Sequence, residues 1–184
     1  MQKEQRRTKE GERVMAYDAA ATHAINKFVQ AKLVGEGIIS ASNYTQVPFF
    51  IPAQQQPELT NLPTEIPFIV YNYVSTAEYV DWFKEHEQVA YTVYSDSEKQ
   101  LRNIVLYLLQ LLRRYEWTAE DVNDYVDSLA SPAFDWAKKF NIKYTRVTNA
   151  TSPEPATEEG GRQAAMVVFS LCFTHELDQR GMRI

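Results

Sequence analysis

Three kinds of residue are scarce in this chain of 184: one cysteine, three histidines and six glycines. A single thiol, Cys172, excludes an internal disulfide and any cysteine-based metal cluster. It lies inside an apolar run, where a thiol serves as a small buried hydrophobe. Of His23, His86 and His175, the last two are each followed by glutamate, but neither has the second histidine of a zinc-protease helix. Gly160-Gly161-Arg162 lacks the spacing and the Lys-Ser/Thr pair of a phosphate loop. No Gly-x-Ser-x-Gly elbow occurs. No cofactor is therefore expected. Long apolar runs are missing too, so no segment should span a bilayer and no membrane partner is expected. The first residues are charged rather than apolar, which argues against a signal peptide and for a cytosolic origin. Positive charge is in deficit, with 19 Lys and Arg against 24 Asp and Glu and a net charge of −5. That excludes a surface that reads DNA by displacing counterions, though not one that DNA merely passes.

What remains is a chain of ordinary globular composition, 45% hydrophobic, with eleven tyrosines. Its length suits one domain with a sizeable core. Residues 1–14 carry almost nothing to bury and read as a flexible charged arm, leaving 15–184 as a single domain. Ala20, Ala24, Ile25, Phe28, Val29 and Leu33 recur at helical spacing over 16–34, and Gly35 and Gly37 end that helix. Residues 38–67 form a long connector in which five prolines exclude a long helix or a central strand. Phe49-Phe50-Ile51 within it is too apolar to float free. It either packs on its own domain or docks on a neighbour. Phe68 to Ser75 and Glu87 to Tyr94 read as strands around a 76–85 loop. Ser95-Asp96-Ser97-Glu98 is a capping box that opens a helix over about 97–114, with a stripe of Leu101, Ile104, Val105, Leu108, Leu109 and Leu112. Thr118 is placed to cap an acidic helix near 119–129.

A third strand spans 141–149. A fourth, 162–174, holds Val167, Val168, Phe169, Leu171 and Phe173, the densest β-forming run in the chain. It should be an interior strand shielded on both faces. A polar loop, 150–161, joins these two. The expected fold class is α+β: a four-stranded, mainly antiparallel sheet from two hairpins, with helices packed on it.

No catalytic constellation stands out. Glu78, Asp81 or Glu85 with His86 offers a small carboxylate/His enzyme, with Trp82 and Phe83 raising a carboxylate pKa by desolvation. The competing reading is a hairpin tip whose aromatics fold back or meet another subunit. A good core, long loops and no evident active site describe an assembly subunit, whose loops are its contact surfaces. The candidate contacts are Phe49, Phe50, Trp82, Phe83, Glu158, Glu159 and Arg162.

Over residues 16–175 the order of these segments resembles the phage tail terminator (tail completion) family. The resemblance is carried by Pro67-Phe-Ile-Val-Tyr-Asn-Tyr-Val, by Glu87-Gln-Val-Ala-Tyr-Thr-Val-Tyr-Ser and by Gln100-Leu-Arg-Asn-Ile. The closing run, Gly160-Gly-Arg-Gln-Ala-Ala-Met-Val-Val-Phe-Ser-Leu-Cys-Phe, completes it. Residues 115–140 and 45–66 are longer than in a minimal member. The resemblance implies an α+β virion protein assembled in the host cytoplasm into a ring, usually hexameric. Such a ring caps the tail tube, stops its polymerisation and joins the tail to the head connector. The implied partners are the tail tube protein, the connector or neck protein and, in a contractile tail, the terminal disc of the sheath. DNA passes through without specific binding, and acidic charge lets it slide. Another head–tail joining or neck subunit is the alternative of the same class.

Overall fold

The computed structural model describes residues 20–45, 48–53, 66–81, 84–130, 140–152 and 162–175. Helix α1 spans Ala20–Gly35, and a short 3-10 turn follows at Ala41–Tyr44. The strands are β1 (Phe50–Pro52), β2 (Phe68–Asp81), β3 (Lys84–Ser95), β4 (Phe140–Ala150) and β5 (Gln163–His175). Two helices, α2 (Glu98–Leu112) and α3 (Glu116–Ser128), lie between β3 and β4.

The sheet has five strands in the order β1-β2-β3-β5-β4. This corrects the expected four-stranded sheet: the fifth strand comes from the proline-rich connector, and it pairs parallel to β2, so the sheet is mixed. Pro48 and Pro52 bracket an apolar triplet, which is tolerable only at an edge, where a missing N–H breaks no ladder. Phe50 stands opposite Ile69, and the Ile69 N–H donates to the Phe49 carbonyl at 2.8 Å.

The expected 76–85 loop is also corrected. β2 continues to Asp81 and β3 begins at Lys84, with register shifts between Tyr73/Ser75, Ser75/Glu78 and Tyr79/Asp81. The sequence there is polar, but residues 84–88 are already paired with residues 170–174 of β5. That anchored ladder offers hydrogen bonds that β2 takes up through bulges.

β5 is flanked by β3 and β4 along its length. Its odd residues from Ala165 to Phe173 are buried beneath the helices. On the opposite face Val168 and Cys172 are buried, while Ala164, Met166 and Ser170 are half-buried. The core between helices and sheet joins Ile25, Phe28 and Leu33 of α1 to Leu101, Ile104 and Leu108 of α2. Val122 and Val126 of α3 and Tyr91 of β3 complete it.

The capping chemistry is specific. Ser97 is the N-cap of α2, accepting from the Gln100 N–H. The Ser95 hydroxyl donates to Gln100 Oε1 at 3.1 Å. Thr118 does not cap α3, which starts two residues earlier after Tyr115. Its buried hydroxyl instead donates to the Leu111 carbonyl, and the Thr145 hydroxyl donates to the Leu112 carbonyl at 3.1 Å. Two carbonyls that the end of α2 leaves without helical partners are thus satisfied from α3 and β4.

Candidate assembly interface

Of the residues of the enzyme reading, the structure separates Glu85 from His86 and sets Glu78 opposite His86 in the backbone register. Glu85 and His86 are neighbours on a strand, so they point to opposite faces. Glu85 is buried on the helix side, as is Glu87, whose Oε2 accepts from the Thr22 hydroxyl at 3.0 Å. His86 lies on the other face in a row with Cys172 and Tyr144 across three strands. The Tyr144 hydroxyl is 3.2 Å from His86 Nδ1. Burial, and then the adjacent Cys172, raises the Tyr144 pKa, which keeps the phenol neutral as a hydrogen-bonding group. Glu78 is the cross-strand partner of His86 in the backbone register. Among the described residues no group of three or more His, Cys, Asp or Glu could hold a metal ion. No described helix is long and apolar enough to cross a membrane.

The candidate contacts divide. Phe49 is 1% exposed, edge-on to Tyr44 at 5.0 Å and to Phe50 at 5.1 Å. Phe50 is half-buried, with its ring 5.2 Å from Tyr91. Phe49 therefore spends its surface inside its own chain, and Phe50 does so in part. Arg162 lays its guanidinium 4.9 Å from the Phe68 ring centroid and sets Nε 3.3 Å from Asp96 Oδ1. The Phe68 ring in turn stacks on Tyr94 at 5.0 Å. Arg162 thus fastens the start of β5 to the β2–β3 end of the sheet. Trp82, Phe83, Glu158 and Glu159 lie outside the described residues.

Among the described residues, the side chains that offer large apolar surface were not among those candidates. Trp117 is 67% exposed, Leu106 57%, Val74 55% and Tyr115 54%. Tyr115 and Trp117 belong to the α2–α3 corner and Leu106 lies midway along α2, and the local chemistry explains their exposure. Leu106 is out of phase with the buried positions Leu101, Ile104, Val105, Leu108, Leu111 and Leu112, so it faces away from the sheet. The helices meet at Tyr115, whose φ 53 and ψ −115 fall in a region that non-glycine residues rarely adopt, at a cost of about 1–3 kcal/mol. That backbone turns Tyr115 and Trp117 outward. Arg114 Nη1 is 2.9 Å from Asp121 Oδ2, and its guanidinium lies 5.8 Å from the Trp117 ring centroid, which orients the indole. Tryptophan, tyrosine and arginine together are the composition of an interface hot spot. The sequence signal was present: an apolar residue out of helical phase, and two aromatics in Arg-Arg-Tyr-Glu-Trp where a helix breaks.

Charge is segregated around this corner. α3 carries Glu116, Glu120, Asp121, Asp124 and Asp127 and no basic residue. α2 and its end carry Lys99, Arg102, Arg113 and Arg114 against Glu98. Exposed aromatics on consecutive helices of opposite charge can bind a macromolecular surface. No family model matches the chain, and no curated protein matches it.

Proposed function

We propose that this chain is the repeating subunit of a ring of the tail-terminator kind, closing a phage tail tube and joining it to the head connector. The observation that carries the proposal is the exposure of Leu106, Tyr115 and Trp117 on the helical layer. A lone subunit gains nothing from exposing a tryptophan and straining a backbone to do it, whereas a subunit of a larger assembly buries both. The resemblance of the strand and helix segments supplies the kind of assembly. In this reading the protein is a virion component with structural partners, the tube and the connector, and needs no cofactor. DNA passes the ring unread, in keeping with the net charge of −5.

The test is a capping assay with the full chain. Purified protein is added to polymerising tail tube protein, and tube lengths and ends are measured by electron microscopy. Tubes should stop at a finite length and carry an added ring at one end. Tubes of unchanged length with bare ends would overturn the proposal.

A further inference from the structure

We infer that successive copies of this chain meet helix to helix: the acidic outer face of α3, led by Trp117, seats on the basic outer line of α2, centred on Leu106, of the next copy. The inference rests on the ring reading and names its interface. Charge points to a second copy as the occupant. The five carboxylates of α3, with no cation, sum to −5, which is the net charge of the whole chain. The rest of the molecule is therefore balanced overall, while this short helix carries five carboxylates and no cation. Residues 98–114 hold four cations and one carboxylate, a sum of +3. The chain thus presents two adjoining faces of opposite sign, and complementary faces steer and register an encounter.

Spacing matches as well. Arg102, Leu106 and Gln110 follow one another at four-residue intervals, and all three are exposed, so they form one line on α2. Trp117, Glu120, Asp124 and Asp127 form the corresponding exposed line on α3. A cation stands seven residues to either side of Leu106, namely Lys99 and Arg113, while Asp124 stands seven beyond Trp117. At 1.5 Å per residue each interval is about 10 Å. With Trp117 seated on Leu106, Asp124 meets a cation whichever way the helices run. The intrachain pairs Arg102–Glu98 and Arg114–Asp121 are exposed on both sides, so they hold these side chains weakly and can rearrange. Repeated from one copy to the next, this contact is head-to-tail, the kind that closes into a ring when the rotation allows.

Two full-length variants test this by sedimentation velocity at low salt. One reverses the α2 face, Lys99→Glu with Arg113→Glu; the other reverses the α3 face, Glu120→Lys with Asp124→Lys. Each alone should sediment as a monomer, with the helical circular dichroism of the wild type. The equimolar mixture should recover the assembled species, because every contact in an alternating ring is again complementary. Trp117→Ala should weaken self-association about tenfold or more. An assembled wild type whose variants assemble equally well, or a mixture that stays monomeric, overturns this interface and leaves the ring reading standing. A wild-type chain that is itself monomeric overturns both.

Discussion

Removing one hydroxyl from the centre of the core should cost more than removing the two groups that it joins. Tyr91 is fully buried, with its ring 4.9 Å from Phe169 and 5.2 Å from Phe50. Its hydroxyl donates to Asn26 Oδ1 at 2.5 Å, bridging β3 to α1. Asn26 is 4% exposed, and its Nδ2 has no hydrogen-bond partner among the described residues. Tyr91→Phe keeps the ring contacts and leaves the whole Asn26 amide unsatisfied in an apolar surround, which costs about 1–3 kcal/mol. For a chain of this length that lowers the melting temperature by about 2–4 °C per kcal/mol. Asn26→Leu in the same chain removes the stranded amide with a side chain of similar shape, and leucine is the better helix former. The double variant should return to within about 1 kcal/mol of the wild type, because replacing both partners by apolar groups is nearly neutral. Urea unfolding of the four chains, followed by circular dichroism, gives the coupling energy directly. A Tyr91→Phe chain as stable as the wild type, or a double variant as unstable as the two single changes added, would refute the argument that the polar bridge is costly only when half of it is left behind.

Three further outcomes are expected. Asn123 pairs with the outer edge of β4 as a strand would, donating to the Ile142 carbonyl at 2.9 Å and accepting from its N–H at 3.0 Å. Asn123→Ala should therefore lose about 1–3 kcal/mol and raise light scattering on warming as the edge opens; unchanged scattering and stability would exclude that role. Arg162→Ala should destabilise the fold by about 1–3 kcal/mol without changing the assembled mass. Arg162→Lys should recover only part, since an ammonium cannot lie flat on Phe68; a variant that folds as well as the wild type but does not assemble would return Arg162 to the contact surface. The Tyr44 hydroxyl donates to the Pro67 carbonyl at 2.8 Å, and burial pushes its pKa well above 10. A folded-state pKa raised above the unfolded one means a contribution that is whole below pH 10 and lost as pH rises beyond it. Spectrophotometric titration should show Tyr44→Phe removing one late-titrating phenol and flattening the alkaline fall in stability; an unchanged late phase would show that Tyr44 ionises normally.

The buried side of each helix was legible because its signal is local. Leu101, Ile104, Val105 and Leu108 repeat at the helical period, although the cap is Ser97 with Gln100 rather than the expected Ser95–Glu98 box. β5 was legible for a similar reason: an unbroken apolar run has few alternatives to an interior strand. The parallel β1 was not, since three residues between prolines look like loop until Ile69 offers its N–H to Phe49. The polar arm from Ser75 to Asp81 carries no strand pattern of its own and is extended because β3 is already held by β5.

The candidate site divides along the same line. Sequence could say that Phe49, Phe50 and Arg162 were too apolar or too placed to be idle, but not whether their partners lay in the same chain. The structure buries Phe49, gives Phe50 and Arg162 partners in the same chain, and leaves Leu106, Tyr115 and Trp117 exposed. That outcome depends on the backbone turn at Tyr115 and on the phase of α2 against the sheet, which are properties of packing. The residues by themselves determined the helices, the central strand and the acidic balance, because periodicity, capping and charge act within a few residues of the chain. Only the tertiary structure decided the fifth strand, the opposed placement of Glu85 and His86, and which aromatic groups face outward. Each of these depends on contacts between residues far apart in sequence, whose geometry no local pattern encodes.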